Sequence, residues 1–461
     1  MPYDHSPARR WRPVAFSTLF LFLLLGGCAT YRPEPLPEST DLASRVDQLK
    51  TREENPTTNA DGSLSLTQVA ARAVCNNPDL KALRKQSGVK HAQLFSEGLL
   101  PDPQLSANLD HPTGSAPGAV DAFGLGLNYD VVSLINRGAR MGSARKEEEQ
   151  ARLELLWQEW QVSQQARSLA VNLVSQHQQI ALLRRMKDLY QQRYQHSFEA
   201  VSRGDLTLDV AGTDLTALLD TLSQINQIEQ SLNDTRHTLN LLMGLASDAP
   251  LEVRLPPPPG PVDAQSVHRL LETLPQRRPD LLALQAGYQS QEAKVRAAIL
   301  SQFPSFSIGI TRARDTGSVY TTGFNIGLNL PFFSGNRGAI AIERATRGQL
   351  RQEYQARIDQ AAVEVDKLSR LQAIVAAQQE QLNNYLPTLE KLVERGRSAY
   401  RKGDINALTF LNMESTWIGK RLEQINLDQT QRNNRIALQT LLAWPADAVR
   451  YPNRDSEGGQ P

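Results

Sequence analysis

The chain has 461 residues, 50 basic and 49 acidic side chains, and a net charge of +1. That balance excludes the basic footprint of a nucleic-acid binder, so no nucleic-acid partner is expected. Seven scattered histidines and two cysteines supply neither a metal-ligand spacing nor a disulfide framework, and no metal or dissociable cofactor is expected.

The N-terminus reads as a targeting segment. Arg9, Arg10 and Arg12 form a basic region, and residues 14–25 form an apolar run of about twelve residues. Such a run is too short for a membrane span and suits the core of a signal peptide. It ends in Leu25-Gly26-Gly27-Cys28, which resembles a bacterial lipobox, where cleavage leaves the cysteine as a lipidated N-terminus. The expected division is a signal peptide over 1–27, covalent lipid on Cys28 and an extended anchored segment over 28–63. Ala29 follows the cysteine; in that class of signals an Asp there favours the inner membrane, and its absence favours the outer. Cys75 falls in a helical pattern as a small buried residue. No later apolar run reaches about twenty residues, so any membrane span must be a β-barrel.

Beyond residue 63 the chain repeats itself at an offset of about 199 to 201 residues. Asn76-Asn77-Pro78-Asp79-Leu80 matches Arg277-Arg278-Pro279-Asp280-Leu281. The run from Phe123 matches that from Phe324, Asn136-Arg137-Gly138 matches Asn336-Arg337-Gly338, and Gly204-Asp205 matches Gly403-Asp404. The period is far too long for a solenoid unit. It describes a tandem duplication, repeat 1 over 64–250 and repeat 2 over 263–447, joined by a Pro-rich linker over 251–262, with a flexible tail over 448–461.

Each repeat reads in the same order. An amphipathic helix opens it, at 64–98 and 267–302. Two short strands follow, at about 103–110 and 122–131, then 304–313 and 322–331. In all four, Leu, Ile or Phe alternates with Gly, Asn or Ser, giving one apolar and one polar face. Strands of nine to eleven residues suffice to cross a bilayer when tilted. A long helix follows, at 138–202 and 338–402. Its length of some 95 Å demands lengthwise packing on other helices. A turn at the Gly-Asp pair leads into a shorter return helix. Four strands cannot close a barrel, and open edges cannot sit in lipid. The barrel must therefore be shared among copies.

With these parts in order, the chain resembles the TolC-like outer-membrane efflux proteins over about residues 64–445. The most specific motif is the corner Leu330-Pro331-Phe332-Phe333-Ser334-Gly335-Asn336-Arg337; the first-repeat copy, through residues 130–135, is degenerate. The resemblance implies a mostly α fold with a small membrane β part: a trimeric, twelve-stranded barrel continuous with a periplasmic α-helical barrel. It implies a passive outer-membrane exit duct fed by a periplasmic adaptor and an inner-membrane transporter, most often proton-driven. Gly204-Asp205 and Gly403-Asp404 would be the periplasmic tips that contact the adaptor. Some relatives carry gate aspartates just past the second tip, where this chain has Thr409 and Asn412; Asp209 and Asp214 are the substitutes. Pro331, Gly335, Asn336 and Arg337 would form the barrel-to-tunnel corner. No nucleophile constellation or phosphate loop is present, and Gly124-Leu125-Gly126 lacks the helix and third glycine of a dinucleotide site, so the chain is read as no enzyme. The competing readings are the exit duct of a type I secretion system and a lipid-anchored periplasmic coiled-coil spacer.

Cys28→Ser is expected to abolish metabolic labelling with radiolabelled palmitate, and labelling that persists would refute the lipobox.

Overall fold

The computed structural model describes residues 31–51, 62–113, 118–258, 260 and 262–444. Cys28 and the signal segment lie outside the described residues, as do Pro259, Pro261 and the C-terminal tail. The chain divides into two units, Met1–Asp41 and Leu42–Pro461. What is described of the first is irregular chain from Tyr31 onward. Everything below concerns the second.

Repeat 1 opens with β1 (Leu64–Ser65), α1 (Leu66–Asn76) and α2 (Pro78–Gly98). Ser65 and Gln68 close a reciprocal capping box on α1, which satisfies two amide donors at once. The sequence suggests one helix over 64–98; the structure shows two. The matching Pro-Asp-Leu motif is itself the break. Asn77 caps α2 through its side chain and Pro78 occupies the first turn, where the missing N–H costs nothing. Repeat 2 breaks at the same place. There α5 (Ala264–Glu272) and α6 (Leu274–Arg277) precede α7 (Pro279–Leu300) instead of one helix over 267–302. Between the repeats, β4 (Val253–Arg254) pairs in parallel with β1, so the start of the linker is held to the start of the first repeat.

The four strands fall within two residues of their expected positions: β2 (Gln104–Asp110), β3 (Ala122–Asp130), β5 (Ser305–Arg314) and β6 (Tyr320–Asn329). They form one antiparallel sheet in the order β2-β3-β5-β6. The register places Leu105, Leu109, Leu125, Leu127, Ile308, Ile310, Phe324, Ile326 and Leu328 on one side, all exposed. The opposite side is mostly Gly, Asn, Ser and Thr, with Asp110 and Asp130 among them. Its glycines leave room that neighbouring polar side chains fill: a Cβ on Gly309 would stand 2.1 Å from Asn128 Oδ1 and 2.4 Å from Asn325 Oδ1. Those two amides are bonded to each other, Asn325 Nδ2 donating to Asn128 Oδ1 at 2.9 Å.

The long helices are α3 (Val131–Ser202) and α8 (Arg337–Lys402), and the return helices are α4 (Leu208–Leu242) and α9 (Ala407–Leu441). At 72 and 66 residues the long helices run about 108 and 99 Å. Nearest the sheet the helices lie in the row α2–α3–α7–α8, and further away in the row α4–α3–α9–α8. Both rows follow the strand order. Each repeat has its own apolar core where the opening, long and return helices meet. Repeat 1 uses Val69, Ala73, Ala166, Ala170, Leu173, Leu239 and Met243; repeat 2 uses Leu274, Leu281, Ala361, Val365, Leu438 and Leu442. The repeats are tied to each other mainly by polar groups. Arg278, held by its own neighbour Asp280 at 2.7 and 2.9 Å, reaches across to lie over the Trp157 ring of repeat 1. Ser143 meets Ser290, and an amide ladder joins α3 to α9 through Asn172–Gln429, Asn172–Asn433 and Gln179–Asn426.

Gly309→Val is expected to lower stability by about 1–3 kcal/mol through overpacking the amide pair. Gly212→Ala, on a helix with open space beside it, is expected to raise stability by up to about 1 kcal/mol. Chemical denaturation of the two variants in parallel measures both.

Candidate functional sites: the corners, the tips and the charged layer above them

The two strand-to-helix crossings differ. In repeat 2 the corner spans residues 330–336, with Gly335 at φ +49 and Asn336 at φ +54. These left-handed conformations suit Gly and Asn. Pro331 ends the ladder and its carbonyl accepts from Gly335 N at 3.1 Å, consistent with a residue that has no N–H to offer a neighbouring strand. Arg337 is the first residue of α8. Phe332 and Phe333, within this turn, are both exposed.

In repeat 1 the long helix, expected from 138 after a degenerate corner through 130–135, begins at Val131 directly after β3, and Asn136-Arg137-Gly138 are helical. The reason is Asp130. As the last residue of β3, it caps the helix directly, accepting from Val132 N and Ser133 N at 3.0 and 3.3 Å. A side-chain cap at that position removes the need for a separate turn. The matching motifs still share a task. Arg137 donates to the Gly98 carbonyl at the end of α2, and Asn336 donates to the Ala298 carbonyl near the end of α7. In each repeat the start of the long helix is fastened to the end of the opening helix.

At the opposite end, Gly204 and Gly403 have φ +82 and +81. Both close Schellman motifs: Asp205 N donates to Ala200 O and Gly204 N to Val201 O, as Asp404 N does to Ala399 O and Gly403 N to Tyr400 O. Nothing lies within 4 Å of a Cβ built on either glycine, so glycine is needed for its backbone conformation rather than for close packing. Asp205 and Asp404 are exposed, and Asp205 pairs with Arg203 at 3.1 Å. The tips are thus two equivalent turns with an uncovered backbone.

The four gate candidates separate. Asp209 is fully exposed in the first turn of α4, where the Thr207 hydroxyl holds its carboxyl below the usual range. Thr409 is exposed, and its N–H is capped by Asn406. Asp214 and Asn412 are joined through one residue. Arg193 of α3 puts Nε 2.6 Å from Asp214 Oδ1, while its Nη1 donates to Asn412 Oδ1. Asp214 is only 1% exposed, and neither of its oxygens accepts a well-aligned hydrogen bond. The contact is an ion pair by distance, aimed poorly as a hydrogen bond. Asp214 is therefore no free acid on an open wall.

A second charged knot lies next to it and escaped the sequence reading. Glu414 of α9 is buried, and both Arg185 of α3 and Arg397 of α8 donate to its Oε1, the latter at 3.1 Å. Arg185 also covers the Trp417 ring at 5.2 Å. The available signal was spacing: Glu414 stands among Phe410, Leu411 and Ile418 on the buried stripe of its helix, where an acid requires a partner. Arg193 and Arg185 together pin α3 to both return helices just above the tips.

The chain thus consists of paired rods that carry a short amphipathic sheet at one end and two bare helix-hairpin turns at the other. Residues 270–443 match the family model for "Outer membrane efflux protein". The probable outer membrane lipoprotein SilC of Salmonella typhimurium is 22% identical over 93% of this chain and 97% of its own. The cation efflux system protein CusC of Escherichia coli K12 is 27% identical over 36% of this chain and 38% of its own. Among solved structures, CusC superposes with a TM-score of 0.64 at 19% identity over 89% of this chain and 98% of its own. The outer-membrane channel OprN superposes at 0.67 with 15% identity, over 90% and 99%. Over residues 270–443 the chain is similar to the outer-membrane efflux proteins, and over most of its length it shares the fold of these channels. The family match falls within repeat 2, the copy that keeps the Pro-Phe-Phe-Ser-Gly corner.

Arg193→Ala strands the buried Asp214 carboxylate and is expected to cost about 3–5 kcal/mol, as for other broken buried pairs. The double change Arg193→Leu with Asp214→Leu is expected to recover most of that loss in a thermal or denaturant melt.

Proposed function

We propose that three copies of this chain form the exit duct of a tripartite efflux system. Held in the outer membrane and reaching into the periplasm, they conduct cations passively. One observation carries the duct: the four strands present an uncovered apolar face on one side and a Gly/Asn/Ser/Thr face on the other. An apolar face turned outward and a polar face turned inward suit a water-filled barrel in lipid. A periplasmic spacer would instead bury that apolar face on its own helices.

β2 and β6 each have one partner strand and one open edge. In lipid such edges must be paired, and three chains of four strands make an even, twelve-stranded ring. The helices support the same seam. α4 and α8 end the lower row, and each carries exposed apolar residues in an eleven-residue register: Val363, Ile374 and Tyr385 on α8, and Leu208, Leu219 and, two steps on past Gln230, Leu241 on α4. That period is close to one face of a nearly straight helix, so each stripe offers a lengthwise packing surface to the next copy.

The remaining roles follow from position. Lipid on Cys28 anchors the chain. The turns at Gly204-Asp205 and Gly403-Asp404 receive the periplasmic adaptor, because their exposed backbone lets another chain approach. An inner-membrane, proton-driven transporter supplies the cargo through that adaptor. Asp209 is the acid available to the aperture, with Thr409 and Asn412 on the other return helix; Asp214 acts through Arg193 as part of the wall. Cations are the favoured cargo because the inner strand face carries Asp110 and Asp130 and no basic residue, and because one relative, CusC, is named a cation efflux system protein.

Deleting the gene is expected to raise sensitivity to copper, cobalt, zinc or silver, and the purified protein in planar bilayers is expected to show a cation-selective reversal potential. Unchanged metal and drug resistance together with loss of a secreted protein would move the assignment to protein secretion.

A further inference from the structure

The apolar belt of the sheet ends abruptly in two arginines. On β5, Phe306, Ile308 and Ile310 face outward, and the same parity continues into Arg312 and Arg314. Both lie at the loop end of the sheet, away from the helices. Arg312 stands between Leu125 of β3 and Thr322 of β6, and Arg314 stands between Phe123 and Tyr320. The four residues form a cluster. The Arg312 guanidinium lies 5.9 Å from the Tyr320 ring, and that of Arg314 lies 5.4 Å from the Phe123 ring. The two rings meet edge to face at 6.3 Å. Arg314 is held in place by donating Nε and Nη2 to the Asp121 carbonyl at 3.2 and 2.6 Å, while Arg312 makes one long contact to Thr322 Oγ1 at 3.4 Å.

Three features make this more than a solvated strand end. Among the described residues, neither guanidinium is paired with a carboxylate. The nearby Asp315 spends its side chain on the Gly317 and Val319 amides of its own turn. β5 is an inner strand whose two neighbours come from the same chain, so the cluster does not lie on an open edge that another copy would pair. The other end of the belt is different. Its outward residues are Tyr129, Phe306, Leu328 and Leu330, with Phe332 and Phe333 beyond, and none is charged.

A lipid-facing arginine is costly at the middle of a bilayer and nearly free at the interface, where its planar fork suits a phosphate. We propose that Arg312 and Arg314, framed by Phe123 and Tyr320, bind the phosphate groups of a lipid headgroup in the outer leaflet. The favoured ligand is a phosphorylated glycolipid whose acyl chains lie along Leu125, Ile310 and Phe324. The rings hold the guanidinium planes toward the headgroup level, and each chain contributes one complete site. The proposal rests on the reading that the sheet spans a membrane.

The full-length protein is reconstituted into phosphatidylcholine nanodiscs containing lipid A, which carries two phosphates, or the same lipid after phosphatase treatment. Retained lipid is counted by native mass spectrometry. The wild type is expected to hold the phosphorylated form selectively. Arg312→Gln and Arg314→Gln are each expected to weaken retention about tenfold, the usual effect of losing one charge-assisted hydrogen bond. Arg312→Lys, which keeps the charge without the fork, is expected to fall in between. All variants should insert and conduct like the wild type. Equal retention by wild type and the double glutamine variant overturns the proposal, as does complete displacement of the lipid by millimolar inorganic phosphate, which marks a free-anion site. A wild type that neither inserts nor conducts defeats the membrane reading itself, and the conductance control tells that failure from the other two.

Discussion

The backbone of an open sheet edge sets the terms for this protein. Four strands with one apolar face and two unpaired edges are untenable in water, where the apolar face is exposed, and in lipid, where the edges are. The sheet can persist only if other copies of it supply the missing strands. Every other element serves that closure. The helices run in the same order as the strands, so the row that pairs at the barrel also pairs along the rods. In the proposed ring, the apolar stripes on α4 and α8 would extend the seam toward the tips.

Within one chain the forces divide by location. Each repeat has a compact apolar core where its three helices meet, built from equivalent residues such as Leu239 and Leu438. Between repeats, contacts turn polar: amide pairs between α3 and α9, Arg278 over the Trp157 ring, and the Arg193 and Arg185 knots near the tips. Apolar burial is non-directional and sets a stable fold. Hydrogen-bonded side chains set register, because their partners must coincide. The duplicated halves are therefore held separately by their cores and aligned to one another by paired groups.

Much of this was legible in the residues. The period near 200, the alternation of Leu and Gly, and the length of the rods were each simple patterns, and all led to the observed order. What failed was local and instructive. The Pro-Asp-Leu motif looked like part of a continuous helix, because proline at a first turn and proline inside a helix look alike until the capping Asn77 is seen. The helix start expected at 138 was carried over from repeat 2, although Asp130 already stood ready to cap a helix beginning seven residues earlier, at Val131. The gate candidates show the limit more sharply. Asp209 and Asp214 are five residues apart on one helix, yet one is fully exposed and the other sealed behind Arg193. That distinction depends on α3, more than a dozen residues away in sequence, and no local pattern reports it. Glu414 was missed as well, although its place on the buried stripe of α9 among Phe410, Leu411 and Ile418 was a pattern the sequence did hold.

The unequal corners have a mechanical consequence. In repeat 1 the strand passes into its rod through a single capped residue, so a rotation of that rod would be transmitted straight to the sheet. In repeat 2 seven residues intervene, two of them left-handed, and the backbone there can absorb torsion. Around any closed ring built from this unit, stiff and compliant joints must alternate. The sequence duplication supplies an approximate twofold redundancy in each chain, and the corners abolish it. Torque from the tips would then reach the barrel through every second joint only, leaving the wall free to stay sealed while the rods turn.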